Sequence, residues 1–296
     1  MPSVLITGAT GFVGAAVAAR FLAAGWTVDA LTRDPVAARR ALPASVSSIT
    51  IADLAGDPSP RFDAVIHLAG ASIAGGLWTR RRKDILWRSR VEGTRDLVTA
   101  LATLDVPPPV FVSASGMGYY GHRGDDVVRP EDPPGEDFLG RMAAAWEEAA
   151  RGAEVFGART AHVRLGMVLG RGGGALPKMA LPFRLGAGAV LGPGTQYAPW
   201  IHIADAADMF FAAVTTPSIR GALHGVASDV VTQAGFSKAL ARALRRPLLF
   251  RIPAPLLRLA LGEMADLFLH GQRALPHPPV GLRFPTLDAA LRDALR

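Results

Sequence analysis

The chain has 296 residues, half of them hydrophobic, 19% charged and none of them cysteine. That much apolar material buries a large core and excludes an intrinsically disordered chain, while the missing thiols exclude a disulfide framework or a thiolate metal site. The formal charge of +7 invites a nucleic-acid reading, but only Lys83, Lys178 and Lys238 among the 32 cationic residues are lysine. With so much Ala, Gly and Pro besides, the arginine excess reads as genome-wide composition bias and not as a basic face.

The first strand is expected at Ser3–Thr7, close to the first Met, which leaves no room for a secretory leader. It runs into Gly8, Gly11 and Gly14, three glycines three apart, and then into a helix over Val13–Ala24. This is the pattern of a dinucleotide-binding turn. Gly8 allows the sharp turn, Gly11 lets backbone approach a pyrophosphate, and Gly14 lets the helix pack on the strand. Thr10, Phe12 and Val13 share that turn, where the helix N-terminus offers unpaired N–H groups and a positive dipole end to phosphate.

Further strands are expected at Thr27–Thr32, Ser48–Ile51, Ala64–Ala69, Val110–Ser113 and Thr160–Leu165. Helices around Val36–Leu42, Lys83–Thr103 and Arg141–Phe156 alternate with them. Such alternation predicts βαβ units around a parallel sheet covered on both faces. The expected fold class is therefore α/β, a Rossmann doubly wound parallel sheet over residues 1–165, to which a later strand near 222–227 returns. Residues 166–296 are expected to form a smaller C-terminal substrate lobe, with loops at Gly170–Gly174, Gly186–Gly194 and Pro276–Pro279 set over the carboxyl edge of the sheet. The apolar stretch Ile252–Leu269 carries Arg258, Glu263, Asp266 and two prolines, so it is no membrane span. A soluble, cytoplasmic bacterial protein follows as the expectation, binding a small-molecule substrate and neither nucleic acid nor membrane.

At the end of the second strand, Thr32 stands where an NAD-specific acid belongs and Arg33 follows it. An arginine there pairs a 2′-phosphate, so the expected cofactor is NADP(H). Asp34, before Pro35, reads as a helix cap. Asp53 and Leu54 are expected against the adenine, and Leu68, Ala69 and Gly70 where the fourth strand meets the cofactor, with Gly70 permitting close backbone approach.

These residues resemble the short-chain dehydrogenase/reductase superfamily, in its extended and atypical branch of nucleoside-diphosphate-sugar epimerase-like proteins. Within that branch, Val112 to Gly121, Asp137-Phe138-Leu139, Trp146-Glu147, Arg164 to Leu169, Gly172 to Leu176, Trp200 to Asp205, Gly271 to Pro276 and Phe284 to Leu291 are similar to one uncharacterised epimerase-like subfamily. The resemblance spans essentially the whole chain and implies a Rossmann fold with a nicotinamide cofactor. It also implies a catalytic tyrosine with a lysine four residues on, both on one helical face.

The chain departs from that pair. Four residues beyond Tyr119, Tyr120 and Tyr197 stand Arg123, Gly124 and Ile201, and Phe138 and Met142 occupy the matching spacing at the expected helix start. Arg90 stands where many relatives carry an active-site Asn, and it is assigned to the cofactor site. The remaining catalytic candidates are Ser115, Tyr119 and Tyr120 near the end of the fifth strand, with Arg90 or Arg123 as the cation that would lower a phenol's pKa. Ser113, Lys178, Trp200 and His202 are the candidate substrate contacts. Each has a plainer alternative: a hydroxyl bonded to local backbone, a solvated lysine, a core tryptophan, a structural histidine. Asp205 reads as an N-cap, and no His, Asp or Glu spacing suggests a metal site. Two functions follow. One is an NADP(H)-dependent oxidoreductase or epimerase-like enzyme on a small or nucleotide-linked substrate. The other is a non-catalytic NADP(H)-binding regulator or partner protein, in a cell-division role that related sequences suggest. Helix Lys83–Thr103 is the candidate face for a homodimer.

Overall fold

The computed structural model describes residues 1–277 and 281–296; Pro278 and Pro279 of the expected loop lie outside them. Seven parallel strands form the central sheet: β1 (Ser3–Thr7), β2 (Thr27–Leu31), β3 (Val46–Ile49), β4 (Ala64–His67), β5 (Val110–Gly116), β6 (Arg159–Leu165) and β7 (Gly221–Gly225). Their order across the sheet is β7-β6-β5-β4-β1-β2-β3. The reversal of direction beside β1 is the crevice where doubly wound sheets bind ligands. β1 and β4 are fully buried apolar runs, Val4-Leu5-Ile6 and Ala64-Val65-Ile66, because helices cover both faces.

One face carries the helix Phe12–Ala23 and the helix Ile203–Thr215, whose Phe210 and Ala213 pack into the same core as Val17 and Phe21. Residues from the second half of the chain thus return twice to the sheet, once as this helix and once as β7. The other face buries Leu5, Val65 and Phe111 under Leu97, Leu101 and Ala150. A separate core of Leu169, Trp200, Phe236, Leu287 and Leu291 holds the C-terminal elements together. Three two-stranded parallel ribbons frame the carboxyl edge: Met167–Leu169 with Trp200–His202, Ala189–Leu191 with Phe250–Ile252, and Val127–Val128 with Arg273–Ala274.

Several elements differ from the expected bounds for local physical reasons. β3 ends at Ile49, two residues early, because Thr50 caps a short helix over Ile51–Gly56 in a reciprocal capping box with Asp53. β5 continues to Gly116, three residues beyond its expected end, and so carries Ser115 on regular strand. The expected helix Lys83–Thr103 starts earlier, at Arg80 behind the Thr79 cap, and is not continuous. Residues Arg88–Glu92 form a π-helical turn between Arg80–Trp87 and Gly93–Ala102. The extra residue of such a turn re-aims side chains, and here Arg90 and Val91 are both buried. Among the described residues no helix is long and apolar enough to cross a membrane.

Candidate functional site

The glycine turn has the geometry its spacing predicts. Gly8 has φ of +70° and a Cβ there would sit 2.9 Å from Ala69 N. A Cβ on Gly14 would lie 2.1 Å from the Gly8 carbonyl oxygen. Gly11 occupies the N-cap of the Phe12–Ala23 helix with no side-chain cap, and the first turn holds no acid. The leading N–H groups of that helix therefore remain available to an anion. Beside them, the ring of Phe12 lies under Gly170, Gly173 and Gly174; a Cβ on Gly173 would come 2.3 Å from the ring. Gly173 and Gly174 are thus small because Phe12 packs beneath them, whereas Gly172 is set by its φ of +73° and not by a neighbour.

A cavity of about 870 Å³ opens from this turn along the ends of β4 and β5. Val13, Leu68, Arg90, Ser115 and Tyr119 line it, together with Phe138 and Met142 from the helix Phe138–Arg151 that Asp137 caps. Trp78 and Trp146 supply its aromatic wall. The C-terminal segment closes another side through Leu267, Phe268 and Gln272.

His67 at the end of β4 organises one flank. Thr7 Oγ1 accepts from the backbone N–H groups of Leu68 and Ala69, both at 3.1 Å, so its own proton goes to His67 Nδ1 at 2.7 Å. The opposite Nε2–H then donates to Thr94 Oγ1 at 2.9 Å, and Thr94 donates to the carbonyl of Arg90. Burial, reinforced by the Arg90 charge, lowers the His67 pKa to about 4, so this bridge is neutral. It ties the glycine turn to the π-helical turn that carries Arg90.

Arg90 is 8% exposed. Its Nη1 donates to the Ala71 carbonyl at 3.0 Å, and its guanidinium carbon stands 5.2 Å from the Trp146 ring. Gly70 lies against the same group, since a Cβ there would meet Cζ at 3.1 Å. Burial, with Arg82 nearby, lowers the Arg90 pKa to about 10.

Beneath the cavity runs a buried charged network. Ser115 Oγ donates to Glu147 Oε1 at 2.7 Å. Arg164 grips the same carboxylate with Nε at 2.8 Å and Nη2 at 2.7 Å. Its Nη1 donates to the Tyr120 hydroxyl at 2.6 Å, and that hydroxyl also meets His224 Nε2. Burial opposes the Arg164 charge, but the bidentate Glu147 carboxylate outweighs it and holds the Arg164 pKa above the ordinary arginine value. The Tyr119 ring lies 3.4 Å from the Arg164 guanidinium carbon, face-on to the cation.

The structure redistributes the remaining expected site residues. Arg33 is exposed just beyond β2 and makes no ion pair among the described residues. Thr10 is exposed in the glycine turn. Asp34 caps the next helix through Ala37 N, as expected. Asp53 is exposed and uses Oδ2 in its capping box with Thr50, at 2.7 Å and 2.9 Å, which leaves Oδ1 unengaged, while the Leu54 side chain is buried in the core. Tyr120 is fully enclosed and bonded, with burial raising its pKa to about 12, which removes it from proton transfer at the cavity. Ser113 is buried and bonded to the carbonyl of Ala114, away from the cavity. Lys178 is exposed and reaches only the Ala74 carbonyl, at 3.4 Å. Trp200 is a core residue whose Nε1 donates to the Asp229 carbonyl at 3.0 Å. His202 is itself the N-cap expected of Asp205: its Nδ1 accepts from Ala204 N, and its ring stacks on Phe284 at 3.8 Å. Asp205 instead accepts from the backbone N–H groups of Arg283 and Phe284. Arg123 serves the carbonyls of Tyr120 and Pro133. The cation beside the tyrosines is therefore Arg164, which sequence reasoning passed over.

Residues 4–222 match the family model described as NAD dependent epimerase/dehydratase family. The chain belongs to that family. Residues 252–277 match a second model, of a domain of unknown function, and these include the segment that closes the cavity. Among relatives, the epimerase family protein SDR39U1 of Bos taurus is 37% identical, with 99% of each chain covered. The epimerase family protein YfhF of Bacillus subtilis is 34% identical over 97% of this chain and 95% of its own. In three dimensions, the crystal structure of human SDR39U1 (isoform 2) with NADPH superposes with a TM-score of 0.88 at 33% identity, covering 99% of this chain and 98% of the other. The match includes the C-terminal segment, so family membership extends beyond the sheet.

Proposed function

We propose that this epimerase/dehydratase-family chain is an NADP(H)-dependent oxidoreductase or epimerase-like enzyme whose small-molecule substrate occupies the cavity over β4 and β5. The observation that carries this reading is the uncapped helix N-terminus behind the Gly8–Gly14 cradle, next to the cavity that Val13 of the same helix lines. A Cβ at Gly8 would press on the Leu68 and Ala69 backbone and one at Gly14 on the Gly8 carbonyl, so glycine alone lets the turn take this shape, and the uncapped N–H groups it presents suit a diphosphate. Arg33, exposed and unpaired at the end of β2, suits the 2′-phosphate. The human relative crystallised with NADPH supports the choice. Held by the Gly8–Gly14 turn and Arg33, NADP(H) would supply or accept a hydride.

The chain's own groups then divide the remaining work. Leu68, Trp146 and the neighbouring apolar walls exclude water. Ser115 Oγ, whose proton is directed to Glu147, is left with its lone pairs facing the cavity as an acceptor for a substrate hydroxyl. Tyr119 and Tyr197 both line the cavity, and Tyr119, just beyond the end of β5 and Ser115 with its ring on the Arg164 guanidinium, is the phenol assigned to donate a proton to a developing alkoxide. With Phe138 and Met142 at the Tyr/Lys spacing of the wider superfamily, the lysine of that pair is missing, and Lys83, which also lines the cavity, is held by Glu263 at 2.6 Å. A second reading rests on that departure: a chain that binds NADP(H) without turning it over. Screening the purified protein for NADPH oxidation against carbonyl compounds and nucleotide sugars separates the two. Turnover lost in Tyr119→Phe establishes the first reading; tight NADPH binding with no turnover of any class establishes the second.

A further inference from the structure

Three cationic side chains border the cavity, and two of them are already occupied. Lys83 pairs with Glu263 at 2.6 Å, and Arg141 is an exposed residue bonded to the Glu136 carbonyl. Arg90 differs from both. It is buried, it pairs with no carboxylate among the described residues, and its recorded partners are the carbonyls of Ala71 and Leu86 through Nη1 alone. None of the four acids on the cavity wall pairs with it: Asp137 caps its helix, Glu263 holds Lys83, Asp266 faces Arg258 and His270, and Glu136 is exposed at the rim.

A charge in such surroundings is expensive unless something compensates it. The neighbours also fix its plane. Gly70 packs against the guanidinium closely enough that a Cβ there would meet Cζ at 3.1 Å, Trp146 stands near it, and Nη1 is anchored on the Ala71 carbonyl after β4 and the Leu86 carbonyl of the helix Arg80–Trp87. The Nη2 and Nε edge of the fork is left for a ligand, and a planar fork suits a carboxylate in bidentate fashion. The glycine cradle serves phosphate separately, for Gly8, Gly11 and Gly14 do not line this cavity, whereas Arg90 does.

We infer that Arg90, expected from the sequence in the cofactor site, instead binds the carboxylate of a small, otherwise apolar substrate acid, held in the cavity among Leu68, Met142 and Trp146. This deepens the proposed enzymatic reading and rests on the same cavity. The uncompensated desolvation that lowers the Arg90 pKa agrees with a site completed by an incoming anion. A rim rich in acids and a floor with one cation would select monoanions over dianions.

Calorimetry with benzoate and its neutral isostere benzamide tests this, with and without NADPH. Benzoate is expected to bind the wild-type protein at least tenfold more tightly than benzamide. Arg90→Gln is expected to bring the two within twofold while changing NADPH affinity less than threefold. Equal binding of the two probes by the wild type overturns the inference, whether or not any variant folds. So does a benzoate preference that survives in Arg90→Gln. An Arg90→Gln protein that loses NADPH affinity tenfold and shows no change toward benzoate assigns the guanidinium to a cofactor phosphate, which also overturns it. Should Arg90→Gln fail to fold, Arg90→Lys replaces it, with an expected benzoate preference between wild type and none; full retention contradicts a fork-shaped site. Absence of NADPH binding in the wild type would strike the proposed function alone, because the benzoate comparison is read on the free protein as well.

Discussion

The Ser115 hydroxyl donates to the Glu147 carboxylate at 2.7 Å, which joins the cavity floor to an ion pair that is itself almost wholly buried. Through Arg164 and Tyr120 the same network reaches His224, whose Nδ1 lies 3.1 Å from the Leu275 carbonyl in the C-terminal segment. One carboxylate thus holds the end of β5, the end of β6 and the cavity's outer wall in register.

Removing that carboxylate leaves a buried guanidinium uncompensated. Glu147→Gln is expected to destabilise the protein by about 3–5 kcal/mol, the range for breaking a buried ion pair from one side. Replacing Glu147 and Arg164 together by Leu is expected to recover most of the loss. Urea unfolding of the single and double variants gives the comparison; a double variant no more stable than Glu147→Gln contradicts this account of the pair.

The two adjacent tyrosines separate chemistry from packing. Tyr120→Phe forfeits bonds to Arg164 and His224 and is expected to cost ~1–3 kcal/mol while leaving turnover within a few-fold. Tyr119→Phe keeps its ring on Arg164, so stability stays put, and turnover is expected to fall roughly a hundredfold or more. Unfolding curves and NADPH oxidation on the same preparations decide it. Equal losses of turnover in both variants would mean that the phenol has been assigned to the wrong residue.

Acid should weaken the fold through its neutral histidines. Burial is the main cause that lowers the pKa of His67, His162 and His224, each to about 4. Unfolded histidine titrates near ~6.5, so between those values the unfolded chain binds more protons. Stability is complete above pH ~6.5 and declines as pH falls toward ~4, each histidine adding a slope of up to about 1.4 kcal/mol per pH unit. His162 has no partner on either ring nitrogen among the described residues, so His162→Leu is expected to retain full stability at neutral pH and to show a shallower acid decline. Chemical unfolding at neutral and at mildly acidic pH measures both slopes. A stability indifferent to pH across that window would refute the buried, neutral assignment.

Gly14 is the tightest point of the nucleotide turn. Its Cβ would stand 2.1 Å from the Gly8 carbonyl oxygen, which is backbone and cannot rotate away. Gly14→Ala should lower stability by about 1–3 kcal/mol, as overpacking does, and weaken NADPH binding at least tenfold. Gly25→Ala is a control for the strained backbone alone, because a Cβ there meets nothing within 4 Å. Calorimetry that finds Gly14→Ala binding NADPH like the wild type would show that the turn does not shape the site.

What the sequence made legible was local. The glycine spacing, the strand ahead of it and the helix after it lie within 25 residues, and all three formed as expected from steric and dipole arguments. The Asp34 cap was readable for the same reason. The cavity wall was not, because it comes from remote parts of the chain. Trp200 and His202 sit in a motif that looks exposed in one dimension, yet Phe284 and Asp293 cover His202 from some 80 residues further on. Arg164 opened one of the motifs that carry the resemblance, but nothing in that motif marked it, among so many arginines, as a buried cation. Its partner did carry one: Glu147 follows Trp146 on the inner face of an alanine-rich helix, where a carboxylate needs a buried cation. The π-helical turn left no mark either, since an inserted residue shows in the hydrogen bonds and not in the pattern of apolar positions.

The central claim is that the Gly8–Gly14 cradle and Arg33 hold NADP(H) at the mouth of the cavity. The most direct test is calorimetric titration of NADPH and NADH into the wild-type protein and Arg33→Ala. The account predicts NADPH bound at least tenfold more tightly than NADH, with that preference lost in Arg33→Ala and NADH binding unchanged. Binding of neither nucleotide, or an NADPH preference that persists without Arg33, would contradict it.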